Sequence, residues 1–204
     1  MRFLPILLLT TALFAQKPAP RTVEPDDGML TGSVYRSDYF HFTYTIPADL
    51  QVLPDFLAPE EDAEHRSFVL LAAYAKPQNE NANENAARPG LVIMADRARD
   101  YAPLPDGKAY LDKVTLPLVT RQGYELLHGA REHIIAGEKF YRADFSKNGV
   151  HQSFVVTVLR RYAVGFNLVG ASAAEIERLF ESLQSLKFSA PPAAPKRAAP
   201  KPAQ

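Results

Sequence analysis

The sequence predicts an α+β domain in which a mostly antiparallel sheet has helices on both faces, an α/β/α sandwich. Two apolar runs, residues 67–75 and 90–95, are continuous instead of alternating, as in strands that are covered on both faces. An Asn-Gly pair at 148–149 is a strong signal for a tight antiparallel hairpin. Two segments, 106–121 and 172–186, carry apolar residues at helical spacing, so a helix is available for each face.

The N-terminal residues 1–15 are predicted to be a signal peptide. Arg2 provides a short positive region, and the mostly apolar residues 3–14 end beside small residues at Ala12 and Ala15. A helix of this length rises only about 18 Å, which is short of a bilayer core of roughly 30 Å. We therefore expect an exported protein, periplasmic or extracellular, with no transmembrane segment once the signal peptide is removed.

Two further segments are predicted to lie outside the folded domain. Residues 16–32 hold Pro, Gly and charge with no apolar periodicity, which is typical of a linker. Residues 189–204 are rich in Pro, Ala and Lys and are predicted to be a disordered tail, either a basic tether to envelope polymers or a solvated end without a partner. The folded domain is thus expected to span residues 33–188.

The overall composition excludes several classes of function. The 204 residues include 23 basic and 23 acidic side chains, so no net electrostatic field favours nucleic acid. There is no Cys, which excludes a disulfide framework, a thiolate nucleophile and a Cys-ligated zinc site. We expect the domain to be stabilised by packing alone.

The aromatic stretch at residues 38–46 (DYFHFTYTI) alternates with period two and is predicted to be a strand that ends at Pro47. One side of this strand is expected to pack in the core beneath a helix. That side consists of Phe40, Phe42, Tyr44 and Ile46. The other side, with Tyr39 and His41, could line a binding groove, because aromatic tips at a strand surface are enriched in binding sites.

Tight turns are predicted at three places in the C-terminal half. They lie near Gly137-Glu138, at Asn148-Gly149 and at Arg160-Arg161. The second turn places Phe145 opposite Gln152, Ala143 opposite Phe154 and Tyr141 opposite Val156. The third turn places Val164, Phe166 and Leu168 on the face opposite to Phe154, Val156 and Val158. Both faces therefore carry large apolar side chains and need cover.

Two helices are predicted to provide this cover. The first has Asp106 as its N-cap and runs to about residue 121, although Pro117 must kink it or end it early. The second begins with a capping box formed by Ser172 and Glu175. The buried stripe of the first is predicted to contain Tyr110, Leu111, Val114 and Leu118. The buried stripe of the second is predicted to contain Ile176, Leu179, Phe180, Leu183 and Leu186.

One polar cluster follows from the predicted strand register. A turn near Gly137-Glu138 places His133 opposite Arg142, and the Asn-Gly turn places Asp144 opposite Ser153 on the same face. An Arg–Asp pair beside a His could bind an anionic or polar ligand. The alternative is a solvated ion pair at the open end of the sheet, worth about 0–1 kcal/mol. These four residues are the candidate ligand-binding site.

No catalytic or metal-binding motif is predicted. The segment 170–174 (GASAA) lacks the second Gly of a nucleophile elbow, and a capping role explains Ser172. His128 and His133 are five residues apart, whereas helical zinc ligands are spaced by four. We therefore expect no enzymatic activity, no cofactor and no metal.

Three motifs resemble those of the PsbP-like fold. The motifs are Phe42-Thr-Tyr-Thr-Ile46-Pro47, Gly165-Phe166-Asn167-Leu168 and Leu183-Gln-Ser-Leu186-Lys-Phe188. This fold is shared by the extrinsic oxygen-evolving protein of photosystem II, a nuclear import factor that binds Ran, and bacterial envelope proteins. The likeness covers residues 33–188, and every matching position is a core or turn residue. It departs from the family where an aromatic residue usually follows the Ile-Pro pair, since Leu50 stands there and the chain has no Trp.

The resemblance implies α/β/α architecture and a non-catalytic accessory module that binds a protein or lipid in an exported compartment. The sequence hypothesis is thus a binding module of the cell envelope with an unknown envelope protein or lipid-like ligand as partner. The alternative is a carrier of a hydrophobic or amphipathic molecule, which needs a cavity of about 300 Å³ or more. Small residues that could leave such volume occur at Ala72-Ala73 and at the pair Ala143 and Gly165. An enzyme would require ionisable groups that converge in a concave site.

Overall fold

The computed structural model describes residues 23–25, 28–53, 67–76, 88–101 and 103–189. The predicted signal peptide lies outside these ranges, as do residues 190–204 of the predicted tail. Residues 28–31, predicted to be part of the linker, form a strand that pairs with residues 34–37 across a turn at Gly32, whose φ is 59°. The folded domain therefore begins earlier than predicted. None of the helices within these described ranges has the length and apolar character needed to span a bilayer.

The strands of the described ranges form two antiparallel sheets. Their bounds are β1 (Gly28–Thr31), β2 (Val34–Ser37), β3 (Phe42–Thr45), β4 (Leu50–Val52), β5 (Ser67–Ala75), β6 (Gly90–Arg97), β7 (Glu125–Ile135), β8 (Glu138–Lys147), β9 (Val150–Leu159), β10 (Tyr162–Gly170) and β11 (Lys187–Phe188). The large sheet has seven strands in the order β4-β5-β6-β10-β9-β8-β7, and the small sheet has four in the order β1-β2-β3-β11. The two continuous apolar runs are β5 and β6, as predicted.

The helical segments lie in two parts of the chain. In the first part, α1 (Gly107–Tyr110), a π-helical turn (Leu111–Thr115) and α2 (Leu116–Arg121) follow one another without a break. In the second part, α3 (Ala173–Ser182) continues into a 3-10 turn (Leu183–Ser185). A further 3-10 turn (Ala98–Asp100) follows β6.

Alternating side chains of the large sheet belong to two separate apolar clusters. In β9, Val155 belongs to the first cluster and the next residue, Val156, to the second. The first cluster includes residues of α3 and the small sheet, so these elements cover what we call the α3 face. The second includes residues of α1 and the π turn, which cover part of the opposite α1 face. Helices thus lie on both faces of the large sheet, which confirms the predicted fold class.

The aromatic stretch packs into the core as predicted, but it does so within the small sheet. Strand β3 covers only residues 42–45, because residues 38–41 form a turn in which His41 has a φ of 58°. The predicted core residues of the aromatic stretch are each at most 4% exposed; these are Phe40, Phe42, Tyr44 and Ile46. Tyr39 packs edge-on against Tyr162, with ring centroids 5.6 Å apart, so it helps to close this end of the core.

Helix α3 has the predicted cap in a modified form. The Oγ of Ser172 accepts a hydrogen bond from the amide of Glu175 at 3.2 Å. The Glu175 carboxylate accepts from the amide of Ala171 at 2.6 Å, one residue before the N-cap, so two amides near the helix start are satisfied. Four of the five predicted stripe residues are buried: Ile176, Leu179, Leu183 and Leu186.

The π turn explains why the buried stripe of the first helix differs from the prediction. A π turn closes its hydrogen bonds over one more residue than an α-helix, so the side chains that follow it are rotated about the helix axis. Leu118, predicted to be buried, is 51% exposed, and Val119 is buried in its place. Pro117 lies in the first turn of α2, where its missing N–H is tolerated because the π turn precedes it. The predicted N-cap is present, since Asp106 accepts from the Ala109 amide at 2.9 Å.

Three hairpins of the large sheet turn through two residues that both have positive φ. The turn residues are Ala136 and Gly137 (51° and 83°), Asn148 and Gly149 (51° and 77°), and Arg160 and Arg161 (49° and 70°). Left-handed backbone costs about 1–2 kcal/mol for an ordinary L residue and little for Gly. The first turn lies one residue earlier than predicted, whereas the other two lie where the sequence places them.

Candidate functional site

The predicted site lies on the α3 face, where β7, β8 and β9 run side by side. Because the first hairpin turns at Ala136-Gly137, one residue earlier than predicted, residues 131–135 of β7 pair two positions away from their predicted partners in β8. His133 pairs with Phe140, and Arg131 instead pairs with Arg142. The predicted pairing of His133 with Arg142 is therefore wrong. The other predicted pairing is confirmed, since Asp144 lies opposite Ser153.

Arg142 of β8 is the centre of the polar cluster. Its Nε donates to Asp144 Oδ1 at 2.7 Å and to Ser153 Oγ at 3.0 Å. Its two terminal nitrogens donate to the two carboxylate oxygens of Glu177 at 2.7 and 3.0 Å. This two-pronged geometry is the strongest arrangement available to an Arg–carboxylate pair. Glu177 belongs to α3, so the cluster joins the helix to the sheet.

The cluster is buried, which contradicts the alternative of a solvated ion pair. Arg142 is 4% exposed, Asp144 is 6% exposed and Ser153 has no exposed surface. The guanidinium group of Arg142 also lies over the ring of Phe180 of α3, 4.5 Å from the ring centroid. A guanidinium in this position is shielded on one side by the ring and bound at its edge by acceptors.

Asp144 has two further neighbours on β7. Arg131 forms an ion pair with its Oδ2, and His128 Nδ1 lies 3.3 Å from the same oxygen. Two arginines and two carboxylates therefore balance one another across β7, β8 and α3. The sequence prediction included Arg142 and Asp144 but not Arg131. The register error placed His133 opposite Arg142, where the structure has Arg131.

His133 joins the cluster from its own place in β7. Its ring packs edge-on against Phe180, with ring centroids 4.9 Å apart. Its Nε2 is buried and has no hydrogen-bond partner among the described residues. Burial lowers the pKa of His133, and the positive charges of Arg142 and Arg131 lower it further. A neutral imidazole is thus favoured at this position.

The contact between Arg142 and Glu177 shifts the pKa values of both groups. Burial alone would lower the pKa of Arg142, but the hydrogen bonds to Glu177 and Asp144 raise it. The hydrogen bond from Arg142 is the largest cause that lowers the pKa of Glu177. Both groups are therefore held in their charged forms, as a structural ion pair requires.

A second buried polar contact lies on the α1 face. The hydroxyl of Tyr110 donates to Asp96 Oδ2, while Asp96 Oδ1 is buried without a hydrogen-bond partner among the described residues. Burial and the neighbouring Asp96 raise the pKa of Tyr110. Within the described ranges, no group of three His, Cys, Asp or Glu side chains could hold a metal ion.

Comparisons with known proteins give similarities of fold. No family model matches this chain, and no curated protein matches it. Among solved structures, it is similar to the cyanobacterial PsbP (CyanoP) from Synechocystis sp. PCC 6803, with 16% identity, 76% of this chain and 91% of that chain covered, and a TM-score of 0.49. It is also similar to LpqN of Mycobacterium tuberculosis, described as involved in cell envelope biogenesis, with 15% identity, 73% and 83% of the two chains covered, and a TM-score of 0.42. The first of these structures is a PsbP, and the sequence motifs of this chain resemble the PsbP-like fold.

Proposed function

We propose that this chain is an exported, non-catalytic accessory or binding module of the cell envelope that acts through contacts at its surface. One observation supports this above the others. Arg142, the centre of the predicted ligand-binding site, is buried and directs its donors at Asp144, Ser153 and Glu177 of the same chain. A ligand-binding Arg would need donors that point into accessible space.

The predicted ligand-binding role of His133, Arg142, Asp144 and Ser153 remains a prediction, and their geometry favours a structural role. Both carboxylates of the cluster are already bound by guanidinium groups. The ring of Phe180 covers Arg142 from the side of α3. An incoming anion would have to displace Glu177 and lose the two hydrogen bonds that it accepts.

The carrier alternative requires unfilled volume in the core, and the positions that could leave such volume are occupied by neighbours. A methyl group built at Gly165 would meet Met94 and Val156 at 3.6 Å, which is ordinary van der Waals contact. Ala73 and Ala143 are 0% and 3% exposed, within the two apolar clusters. These contacts favour action at the surface over carriage of a molecule in the interior.

The proposal is tested by capture on the immobilised full chain from an envelope extract, with mass spectrometry of retained proteins and lipids. The control is Leu179→Asp, which places a charge in the core and abolishes the folded surface. We expect a partner that is retained by the folded chain, is chemically unchanged, and is absent from the control. A lipid held inside the folded chain, or conversion of an extract component by the chain, would contradict the proposal.

A further inference from the structure

One end of the large sheet carries several arginines around the turn between β9 and β10. Arg160 and Arg161 form that turn, and both are exposed. Arg97 ends β6, opposite the first residue of β10. The 3-10 turn at residues 98–100 follows, and its first amide donates to the carbonyl of Arg161 at 2.9 Å. Arg99 lies in this turn, so the four residues form one group, which we call the arginine end.

Aromatic rings hold two of these guanidinium groups in place. Arg160 lies over the ring of Tyr39, 5.3 Å from its centroid, and contacts His41 Nε2. Arg97 lies over the ring of Phe68 at 5.5 Å. A side chain that is already held over a ring loses less conformational freedom when it binds a ligand.

The described carboxylates near this end include Glu24, which acts electrostatically on Tyr39, and Asp38. Asp38, which lies beside His41, pairs with Arg36 at 2.9 Å. The guanidinium group of Arg161 has no hydrogen-bond or ion-pair partner among the described residues, and the residue is exposed. The pKa of His41 is lowered by burial and by the charge of Arg160, which is consistent with a positive local potential.

The backbone of this turn is strained by side chains that the turn itself does not require. A two-residue turn with positive φ at both positions favours Asn-Gly, and the turn at Asn148-Gly149 of the same sheet has that sequence. The turn at Ala136-Gly137 also has Gly at its second position. Only the Arg160-Arg161 turn, among these three hairpins, places a long side chain at both strained positions. Strain of this kind is concentrated at functional sites.

We propose that the arginine end is a docking site for an acidic, Asp- or Glu-rich segment of a protein partner. The proposal deepens the function proposed above and rests on it, since it names the surface and the chemistry of the partner. A guanidinium fork matches a carboxylate in geometry, and this chain already uses that match between Arg142 and Glu177.

A carboxylate-rich peptide fits this end better than a bilayer does. Membrane attachment depends on apolar side chains that project into the acyl region. The rings of Tyr39 and Phe68 instead lie beneath guanidinium groups and pack against Tyr162, with centroids 5.6 and 6.1 Å from its ring. The charged groups are therefore the outermost features of the arginine end.

The decisive variant is the double substitution Arg160→Asn with Arg161→Gly. It supplies the preferred turn sequence, so its thermal midpoint should rise above that of the original chain. It also removes two docking cations, so its affinity for a fluorescein-labelled oligoglutamate peptide should fall by about tenfold at low salt. Affinity of the original chain should weaken steeply between about 0.05 M and about 0.5 M salt, because exposed charges are screened.

The charge-matched control is Lys113→Gln with Arg121→Gln, two exposed cations on the first helix, and it should bind the peptide like the original chain. Equal peptide affinity of the double turn variant and the original chain would overturn the proposal. Binding to phosphatidylglycerol vesicles without binding to the peptide would also overturn it. If the double turn variant still retains the envelope partner, the arginine end is not the docking site, although the proposed function stands. If no partner is captured at all but peptide binding depends on the turn, the site stands and the proposed function fails.

Discussion

Arg142 and Asp144 are charged residues with almost no exposed surface, so each depends on its ion-pair partners for compensation. A buried ion that loses its partner retains the full desolvation cost, which makes removal of one partner more harmful than removal of both. Glu177 differs, because its side chain is 59% exposed and keeps part of its hydration. The effect of substitution should therefore be largest at Arg142 and smallest at Glu177.

Arg142→Ala is expected to lower the free energy of unfolding by about 3–5 kcal/mol, because it leaves Asp144 with one of its two guanidinium partners and frees α3 from β8. Urea unfolding at neutral pH measures this change. The matched control is Arg178→Ala, which removes an exposed ion pair with Asp49 (2.9 Å) and should cost about 0–1 kcal/mol. Equal losses in the two variants would show that the buried cluster does not stabilise the domain.

The lowered pKa of His133 predicts that the domain loses stability on mild acidification. Burial and the neighbouring arginines lower its pKa from 6.5 in the folded state, so the unfolded state binds the proton first as the pH falls. Stability from the neutral imidazole is thus present above about pH 6.5 and is lost below it. The pKa of Glu177 is lowered from 4.5, so its contribution is lost only at more acidic pH.

We therefore expect the urea midpoint to fall between about pH 7.5 and about pH 5.5, and His133→Gln to reduce that fall. His41, whose pKa is also lowered, contributes to the part that remains. An identical pH profile for the His133→Gln variant would contradict the assignment of the effect to His133.

At the residue scale, the sequence predicted the part of the cluster that depends on a recognisable turn. Asn148-Gly149 has the composition its backbone requires, so the pairing of Asp144 with Ser153 could be derived. The turn at Ala136-Gly137 lacks such a composition, so the predicted turn lies one residue too late and the predicted partners of residues 131–135 in β7 are two residues off. The contact of Glu177 with Arg142 could not be predicted, because no local sequence pattern indicates which strands lie beneath α3.

At the element scale, the close approach of α1 to the sheet depends on a single glycine. Gly107 is the first residue of α1, and a Cβ at this position would lie 2.2 Å from the carbonyl oxygen of Val156 in β9. Backbone cannot yield as a flexible side chain does, so any larger residue must push the helix away from the strand. The position of α1, and with it the second apolar cluster, depends on this contact.

Gly107→Ala should destabilise the domain by about 1–3 kcal/mol, because overpacking against backbone displaces α1. Gly129→Ala in β7 is the matched control, since a Cβ there meets nothing within 4 Å, and it should change stability by about 0.5 kcal/mol or less. Urea unfolding of both variants measures the difference. A neutral effect at both positions would show that α1 does not lie against β9 at this distance.

The elements themselves were more predictable than their arrangement. Capping residues and apolar spacing located α1 and α3, since these signals are local. The π turn has no signature in composition, so the rotation that buries Val119 instead of Leu118 was missed. Alternation identified the strand around Phe42 but not its partners, and the small sheet was therefore not predicted.

At the scale of the whole molecule, the large sheet separates two apolar clusters, and each is closed by elements from distant parts of the chain. The α3 face is covered by the C-terminal helix together with N-terminal strands, and the α1 face by the mid-chain helix. The proposed action at the surface depends on complete filling of both clusters by side chains.

Diffraction from crystals of the full chain under xenon pressure tests the filling most directly, because xenon occupies apolar cavities that side chains leave empty. We expect no xenon between the large sheet and either α3 or α1. Xenon bound there, or an apolar cavity of about 300 Å³ or more on either face, would contradict the account and would favour a carrier.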